Sequence, residues 1–395
     1  MRNNAIYLDH GATTPAHPAV VEAMTPYWNG TFGNPSSHHH TGFNAARAVE
    51  EARETIADLL GTQPGTIIFT GCGSESNNLA LRGVMLSARA NGRGNHLITS
   101  AIEHSAVLET ARQLRDYYGF DLTILPVDEY GRVRINDVES ALRPDTALIS
   151  VMAANNEIGT LQPWQAIGEL ARSRWIVYHS DAVQLVSMRR WNLAQEPVDL
   201  MTIAPHKFYG PKGIGILVRQ SDVDLVPSQS GGGHEGGLRA GTLNVPLIVG
   251  AAEALRLAIN ELEQRRAHVL ALRDRLMSGL TEAMPEICII TGHPTERLAH
   301  NASFAFRHVS GNDLLMHLDM AGIAASSGSA CSSGDPKPST VLQSLGLGPA
   351  WTTGGLRLTI GLQNTSEEID YVIEKLPIII ERLSTVEAGF AAASS

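Results

Sequence analysis

The sequence predicts an α/β protein with a large, mostly parallel β-sheet covered by helices. Between residue 44 and about residue 220, short runs rich in β-branched residues alternate with longer amphipathic stretches, a pattern typical of parallel sheets with helical crossovers. The clearest helix is Asn44 to Leu60, whose apolar residues recur every three or four positions until Gly61 ends it. The chain has 395 residues, of which 43% are hydrophobic, so it can bury an ordinary core without disulfide bonds.

Seven runs of mainly apolar residues are expected to form the strands of this sheet. They are Thr66 to Thr70, His96 to Ser100, Leu122 to Leu125, Ala147 to Ala153, Trp175 to Ser180, Leu200 to Ala204 and Ile214 to Arg219. Ligands of such sheets bind beyond the carboxyl ends of the strands. The segments that follow these runs are therefore the first places to look for functional residues.

A second, smaller α+β domain is expected to follow the large sheet. Residues 246–284 have the pattern of one long helix, with Val269, Leu272 and Leu276 on one apolar stripe. We interpret this helix as the connection between the two domains. The large domain is assigned to residues 16–258, and the small domain to residues 1–15 together with residues 259–395.

The composition excludes several classes of function. The chain carries 40 acidic and 30 basic residues, a formal net charge of −10, which disfavours binding to nucleic acid or to anionic lipid. The longest uncharged apolar stretch, residues 245–252, is too short to span a bilayer, and the N-terminus lacks the hydrophobic core of an export signal. Three scattered cysteines form neither a disulfide framework nor a metal motif. We therefore expect a cytoplasmic protein without a metal site.

A possible phosphate site follows the first predicted strand. In the segment TIIFTGCGSESNN the strand leads into Gly71, Gly73 and Ser74 and then into a helix. The start of a helix offers backbone N–H groups and the positive end of the helix dipole, and both favour a phosphate. An ordinary strand-to-helix turn has the same residues, so this segment alone does not decide between the two.

Two later strands end in residues that can act on a heterocyclic cofactor. In YHSDAVQ a strand delivers Asp181 to the carboxyl edge of the sheet, with Gln184 three residues later. An acid there can hold a protonated ring nitrogen, although a helix cap would use the same residue. In DLMTIAPHKFYGPKG a strand ends at His206 and Lys207. A partly desolvated lysine can form a Schiff base, although most lysines are solvated surface charges.

Cys331 differs in its surroundings from the other two cysteines. It lies in ASSGSACSSGDPKPS, a stretch of Ser, Gly and Pro that is too polar for a core, so we expect an exposed and reactive thiol. Cys72 and Cys288 lie beside or within strand patterns. We expect both of them to have a structural role.

Taken in order, these segments resemble the cysteine desulfurases of the class V aminotransferases, which have the fold type I architecture of pyridoxal-phosphate (PLP) enzymes. The resemblance runs from YLDHGATTP at Tyr7 to GLRLTIG ending at Gly361. Its markers include GNPSSHHHTG, EHSAV, NNEIG, DAVQ, HKFYGPKGIG, GGGHEGGLRAGT and SSGSAC. The resemblance implies PLP as the cofactor and L-cysteine as the substrate.

The resemblance also gives the matching residues their roles at the cofactor. Lys207 would bind PLP covalently, Asp181 would pair with its pyridinium nitrogen, and His104 would stack on its ring. The other contacts would come from Asn155 and Gln184 near the ring oxygen and the substrate, and from Gly73, Ser74 and His206 at the phosphate. Thr242 would reach the phosphate of the neighbouring subunit, which implies a homodimer with shared active sites.

The substrate residues follow from the same resemblance. Arg357 would form a bidentate pair with the substrate carboxylate, assisted by Asn34. Cys331 would accept the sulfur as a persulfide and pass it to an acceptor protein, and L-alanine would be released. The resemblance does not indicate which acceptor protein receives the sulfur.

Two alternatives remain at this point. Another class V aminotransferase, or a lyase acting on selenocysteine or cysteine sulfinate, would need Lys207, Asp181 and Arg357 but not Cys331. A non-catalytic scaffold would keep the fold and bind a sulfur-transfer partner without taking up PLP. The loop that carries Cys331 disfavours the first alternative, and the presence of Lys207 and Asp181 disfavours the second.

Two positions depart from the pattern of the family. Ala204 replaces a serine that commonly supplies a phosphate hydroxyl two residues before the histidine of the HK pair. Gly236 replaces an arginine that usually follows the glutamate of GGGHE, which puts the ion pairing of that segment in doubt. The run of His38, His39 and His40 is interpreted as loop histidines, because adjacent side chains cannot all face one metal ion.

Overall fold

The computed structural model describes residues 5–220, 222–327 and 338–393, with side chains up to residue 383 in the last range. The strands are β1 (Ile6–Tyr7), β2 (Ile67–Thr70), β3 (His96–Ser100), β4 (Asp121–Leu125), β5 (Thr146–Ser150), β6 (Val177–Asp181), β7 (Leu200–Ile203), β8 (Gly215–Arg219), β9 (Cys288–Ile290), β10 (Asn301–Phe306), β11 (Ile323–Ala324) and β12 (Gly355–Thr359). The helices are α1 (Pro18–Met24), α2 (Pro26–Asn29), α3 (His40–Leu60), α4 (Gly73–Ala90), α5 (Ser105–Tyr118), α6 (Ile135–Ala141), α7 (Trp164–Ser173), α8 (Val245–Asn260), α9 (Leu262–Ala283), α10 (Gly311–Met320), α11 (Thr340–Ser344), α12 (Pro349–Thr352) and α13 (Ser366–Ala393).

The large sheet has seven strands in the order β2-β8-β7-β6-β5-β3-β4. Only β8 runs against its neighbours, so the sheet is mostly parallel, as the sequence predicts. The observed strands lie close to the expected runs, and β3 coincides with its run. The largest shift at the start of a strand is in β6, which begins at Val177 because Trp175 has a left-handed backbone (φ 58°) and a side chain that is 96% exposed.

Helices cover both faces of the large sheet. Within β2, Ile67 and Phe69 join the hydrophobic cluster formed with α3, α7 and α8, whereas Ile68 joins the cluster formed with α4 and α5. This alternation is the two-residue period of a strand buried on both faces. The α/β prediction is therefore confirmed.

The expectation of one continuous helix over residues 246–284 is wrong. The helix is interrupted at Glu261, where ψ is 13°, and it forms the two helices α8 and α9. The two helices serve different cores: Leu255 of α8 packs with the large sheet, whereas Leu276 of α9 packs in a second hydrophobic cluster. The break lets one chain segment contribute to both.

The second hydrophobic cluster belongs to a smaller group of strands. β10 pairs antiparallel with β12 and β9, and β1 pairs parallel with β11. Beyond β1, the Leu8 carbonyl accepts a hydrogen bond from the Thr359 N–H (2.7 Å), and Asp9 forms a bridge with Thr359. These contacts place the N-terminal segment beside β12.

The part of the chain that the structure describes offers no helix long and apolar enough to cross a membrane. In the same residues, no cluster of His, Cys, Asp and Glu side chains has an arrangement that could hold a metal ion.

Candidate active site

A cavity of about 420 Å³ lies at the carboxyl ends of the central parallel strands. Asp181 is the last residue of β6, Lys207 lies in a 3-10 turn after β7, and Arg357 comes from β12. Eight of the predicted cofactor and substrate residues line the cavity: Gly73, Ser74, His104, Asp181, Gln184, His206, Lys207 and Arg357. Both groups of strands therefore contribute to one site.

Lys207 lies between the large sheet and the N-terminal segment. Its Nζ donates hydrogen bonds to the carbonyl oxygens of Gly11 (2.8 Å) and Ala12 (2.7 Å). Gln184 Nε2 also donates to the Gly11 carbonyl, at 3.0 Å. These bonds hold the amine at the wall of the cavity.

Asp181 is a buried carboxylate whose two oxygens are both used. Oδ2 accepts a hydrogen bond from Asn77 Nδ2 (2.7 Å), and Oδ1 accepts one from the Val183 N–H (3.0 Å). Asn77 lies about one helical turn after Gly73 on α4, which turns its side chain towards the same cavity. Asn77 was not predicted from the sequence. Its spacing of one helical turn from the predicted phosphate residues could have indicated that it lies on the same face of the helix.

His104 forms the N-cap of α5, and its Nδ1 accepts a hydrogen bond from the Ala106 N–H (3.1 Å). Burial lowers the pKa of the His104 ring below its usual value; the nearby Lys207 cation adds to this shift, and Asp181 opposes it. A ring held by this bond and kept neutral can present its flat face to an aromatic ligand.

The residue before it, Glu103, is buried and fixes the strand-to-helix turn. Its carboxyl accepts hydrogen bonds from Ser100 Oγ (2.5 Å) and from the Met152 N–H (3.0 Å). Burial raises the pKa of Glu103 to about 8. Because Met152 follows β5 and Ser100 ends β3, this carboxyl ties the turn that carries His104 to two neighbouring strands.

One end of the cavity suits an anion. Gly73 and Ser74 begin α4, whose first backbone N–H groups have no acceptor within the helix. A Cβ at Gly73 would lie 3.3 Å from the Ala204 Cβ and 3.4 Å from Val183 Cγ2, so glycine keeps this approach open. His206 lines the same cavity and shares a hydrogen bond of 3.1 Å with Thr13 Oγ1. Burial, with smaller contributions from two lysines, lowers the pKa of His206 to about 4.

The residues of this cavity fit PLP. A lysine amine, a buried carboxylate and an anion-binding helix start surround one space, which matches the aldehyde, the pyridine nitrogen and the phosphate of that cofactor. Asn77 Oδ1 is buried and has no hydrogen-bond partner among the described residues. A ligand with polar groups in this space is the simplest way to satisfy it.

Arg357 forms the opposite wall and is held by two partners. Its Nη2 donates to Asp9 Oδ1 at 2.8 Å, and its Nη1 donates to the carbonyl of Asn156 at 3.1 Å. Its Nε is buried without a hydrogen-bond partner in the described ranges. Asp9 was not predicted as a site residue, although it belongs to the motif YLDHGATTP. No pattern in the neighbouring sequence shows that it meets a strand so distant in the chain.

The expected role of Asn155 is contradicted by its surroundings. Its side chain is fully buried: Nδ2 donates to the Ile102 carbonyl (2.8 Å), and Oδ1 accepts from the N–H groups of Glu157 (2.8 Å) and Ile158 (2.9 Å). The amide of Asn155 therefore joins its own loop to the turn that follows β3. The next residue, Asn156, lines the cavity instead.

Asn34 and Thr242 do not line this cavity. The Asn34 side chain is exposed, and its Oδ1 accepts a hydrogen bond from the Ser36 N–H (2.9 Å). Among the described residues, Asp9 and the Asn156 carbonyl are the partners of Arg357, so the expected assistance from Asn34 stays a prediction. Thr242 is also exposed, so its predicted contact with a second subunit stays a prediction.

The departure at Gly236 leaves a buried ion pair in place. Glu235, the residue before it, accepts hydrogen bonds from Arg53 Nη2 (2.7 Å) and from the Phe69 N–H (2.7 Å). Both Glu235 (φ 50°) and Gly236 (φ 63°) adopt left-handed backbone conformations. An arginine at position 236 would be strained in this turn, whereas glycine is not.

The described cysteines differ from each other in exposure. Cys288 is buried in β9, and burial raises the pKa of its thiol to about 12, as expected for a structural residue. Cys72 is exposed, lines the cavity, and caps α4 by accepting a hydrogen bond from the Glu75 N–H. It is not the buried apolar residue that is common for cysteine. Cys331 lies outside the described residues.

Comparison with known proteins relates the whole chain to one family. Residues 6–372 match the Aminotransferase class-V family. The cysteine desulfurase IscS of Methanosarcina thermophila is 45% identical over 381 residues, which are 96% of this chain and 93% of that protein. The cysteine desulfurase IscS of Vibrio vulnificus is 44% identical over 383 residues, with the same coverage.

Solved structures lead to the same group of proteins. A NifS-like protein superposes with a TM-score of 0.89 at 36% identity and covers 96% of this chain and 100% of its own. A structure described as SspA in complex with cysteine superposes with a TM-score of 0.78 at 34% identity and covers 91% of this chain and 100% of its own. DndA from Streptomyces lividans reaches 0.76 at 34% identity over 91% of this chain and 99% of its own.

Proposed function

The chain belongs to the cysteine desulfurases of the class V aminotransferase family, and we propose that its cavity converts L-cysteine to L-alanine and leaves the sulfur on Cys331. One observation carries the proposal: the Lys207 amine, the Asp181 carboxylate and the Arg357 guanidinium line a single cavity. A PLP enzyme that acts on an amino acid needs these three groups, one for the aldehyde, one for the ring nitrogen and one for the substrate carboxylate.

PLP would be held along the wall built from the large sheet. Lys207 would bind its aldehyde carbon, Asp181 would keep its ring nitrogen protonated, and His104 would stack on its ring. Gln184 and Asn156 would bind near the ring oxygen, and Gly73, Ser74 and His206 would bind the phosphate. When bound, PLP supplies an electron sink for the electron pair left by removal of a substrate proton.

The residues of this chain then divide the work of the reaction. Arg357 binds the substrate carboxylate and orients the Cα–H bond towards Lys207. The Lys207 Nζ, which is released once the amine of the substrate has taken its place at the aldehyde carbon, would remove the proton from Cα as a general base. His104 excludes water from the face of the ring that it covers.

Sulfur transfer needs a second thiol. The Cys331 thiolate would attack the sulfur of the substrate; the Cβ–S bond breaks as an S–S bond forms, a proton is added at Cβ, and the proton removed by Lys207 is returned to Cα to complete L-alanine. The products are therefore L-alanine and a persulfide on Cys331, with no external oxidant. Ser327 lines the cavity, and the four residues from there to Cys331 can span about 14 Å of extended chain, which allows the thiol to reach the substrate.

The acceptor and the assembly belong to the same proposal. The persulfide would be passed to an acceptor protein, which regenerates the thiol. Thr242 would complete the phosphate site of the partner subunit in a homodimer, and its exposure in a single chain supports this. A size measurement together with the loss of PLP from Thr242→Ala would test this part.

The test of the proposal uses the three cysteines of the chain. PLP-loaded protein is incubated with L-cysteine and a reductant, and L-alanine and sulfide are measured. Cys331→Ser should lower both by about 100-fold or more while the yellow colour of bound PLP remains. Cys72→Ser is the matched control, because this thiol also lines the cavity, and Cys288→Ser controls for a buried thiol.

Each outcome has one meaning. Alanine formation that survives Cys331→Ser but is lost in Cys72→Ser would move the sulfur acceptor to Cys72. Alanine formation that survives both changes would favour a lyase that needs no acceptor cysteine. A protein that never takes up PLP would overturn the proposal as a whole.

A further inference from the structure

Asp9 is the charged partner of Arg357, and its backbone is paired with β12. Its carboxylate accepts a hydrogen bond of 2.8 Å from Arg357 Nη2. The backbone of Asp9 forms a β-bridge with Thr359, which lies two positions after Arg357 in β12. On either side of it, the Leu8 carbonyl accepts from the Thr359 N–H (2.7 Å), and the His10 N–H donates to the Thr359 carbonyl (3.4 Å). The backbone of Asp9 is therefore fixed beside β12, so its carboxylate can leave Arg357 only by rotation of the side chain.

The contact also meets an electrostatic need. Arg357 is 7% exposed, and a cation buried to this extent requires a counter-charge. Its second partner, the Asn156 carbonyl, is neutral. The described acidic residues that line the cavity are Asp9 and Asp181, and the Asp181 carboxylate is bound by Asn77 and the Val183 N–H. Asp9 alone among the acidic residues described there contacts the guanidinium; Glu157, outside the cavity lining, is close enough to Arg357 for an electrostatic interaction but accepts its hydrogen bond from Ser339 Oγ.

We propose that Asp9 is a resident competitor of the substrate carboxylate at Arg357, so that it weakens the binding of L-cysteine and of L-alanine alike. This inference rests on the proposed function, in which Arg357 binds the substrate. An incoming carboxylate must share one guanidinium with Asp9. It can use the Nε donor that lacks a partner in the described residues, but it does so close to the like charge of Asp9, whose backbone is fixed beside β12.

The consequence concerns release of the product as much as binding of the substrate. L-Alanine keeps the same carboxylate as L-cysteine and has lost only its sulfur. A buried arginine without a neighbouring acidic residue would bind the carboxylate of L-alanine tightly. Such a site would retain its product. Repulsion from Asp9 keeps this interaction weaker, so alanine leaves and the next cysteine enters.

The test compares Asp9→Asn with Asp9→Ala in the PLP-loaded protein. Asparagine keeps an oxygen that can accept from Arg357 Nη2 but removes the charge, whereas alanine removes both. The dissociation constant of L-alanine is measured by calorimetry, with L-alaninamide as a probe that has the amine but no carboxylate. An opposite charge within about 4–6 Å shifts the pKa of a carboxyl by about one to three units, and a like charge acts in the reverse direction. Asp9→Asn should therefore tighten L-alanine about tenfold and leave L-alaninamide unchanged.

Controls separate this inference from the proposed function. Asp58→Asn removes an exposed charge on α3 and should change neither probe. Arg357→Gln should abolish the preference for L-alanine over L-alaninamide; if it does not, the role of Arg357 in the proposed function fails. If Arg357→Gln behaves as expected but Asp9→Asn leaves or weakens L-alanine binding, Asp9 only positions the guanidinium and the competition is refuted. PLP absorbance of each variant reports whether the site is intact.

Discussion

The two walls of the cavity are built in different ways. Gly73, Asp181 and Lys207 form a cofactor wall, in which each residue ends or closely follows a strand of one sheet. Asp9 and Arg357 form a substrate wall, which joins chain segments 348 residues apart. The cofactor wall is therefore specified by local strand-to-turn motifs, whereas the substrate wall exists only after the N-terminal segment has paired with β12.

The charged groups of the two walls also differ in how completely their polar atoms are used. Both oxygens of Asp181 accept hydrogen bonds from the protein. Arg357, by contrast, keeps a buried Nε without a partner among the described residues. A carboxylate that is bonded at both oxygens suits a permanent cofactor, and a guanidinium with a spare donor suits a ligand that comes and goes. Changes in the cofactor wall should therefore lower kcat, and changes in the substrate wall should act on ligand affinity.

The largest effect is expected from Asp181→Asn. The amide keeps the shape of the side chain but removes the charge that would hold a ring nitrogen protonated, so the electron sink is lost. We expect kcat for alanine formation to fall about 10²- to 10³-fold, a range typical for removal of one preorganised electrostatic group, with little change in KM.

Asp199→Asn is the matched control for that change. Asp199 is a half-buried carboxyl that accepts a hydrogen bond from the Tyr178 N–H (2.7 Å) just before β7, at the amino edge of the same sheet. Its loss should affect stability but not kcat. An Asp181→Asn variant that keeps full kcat would show that the cofactor wall does not act through this charge.

The sequence was a good guide to the cofactor wall. Strand runs and their ends can be read from local composition, so Asp181 and Lys207 were singled out because they end or follow a strand, and both line the cavity. Their roles came from the resemblance to the family, because the local pattern also allowed a helix cap and a surface charge. The same approach failed between Asn155 and Asn156. Adjacent residues of a loop point in different directions, and only the contacts with Ile102, Glu157 and Ile158 decide which one is buried.

The substrate wall was less predictable for a physical reason. The pairing of Asp9 with Arg357 depends on β1 joining β11 and on the next residues joining β12. No periodicity within either segment encodes that contact. The break at Glu261 is similar, because the helical pattern of residues 246–284 runs through it, and the position of two separate cores decides where the helix ends.

A smaller effect, in the direction of improvement, is expected from Ala204→Ser. The Ala204 Cβ lies 3.3 Å from the position that a Cβ would take at Gly73, so a hydroxyl here would lie beside the start of α4. One more hydrogen bond to a charged phosphate is worth about 1.5–3 kcal/mol. PLP should therefore leave the variant about ten to a hundred times more slowly.

The measurement for Ala204→Ser is the rate of PLP loss after dilution into buffer without cofactor, followed by absorbance. Ala240→Ser, at a buried alanine that does not line the cavity, is the control. An equal or faster loss from Ala204→Ser would mean that the phosphate does not lie at this end of the cofactor wall.

The smallest expected effect tests how the sheet that supports the cofactor wall responds to acid. His179 lies on β6 two residues before Asp181. Its ring forms hydrogen bonds with Ser150 Oγ (2.9 Å) and Thr202 Oγ1 (3.0 Å). Burial lowers the pKa of His179 from 6.5 to about 3. Between pH 6.5 and pH 3 the unfolded chain therefore binds a proton at this residue, and the folded chain does not. The free energy of unfolding has its full value above pH 6.5 and falls as the pH is lowered.

Between pH 7 and pH 5.5 this difference amounts to about 1 kcal/mol of unfolding free energy. Measured by urea unfolding, the free energy of unfolding of His179→Gln should fall by about 1 kcal/mol less between pH 7 and pH 5.5 than that of the unchanged protein. His38→Gln, at an exposed loop histidine, should behave like the unchanged protein. If His179→Gln keeps the full acid sensitivity, the loss must come from other buried groups, such as His206 on the cofactor side or His300 near the small sheet, whose pKa values burial also lowers. In that case the acid response would not be localised in the strand that carries Asp181.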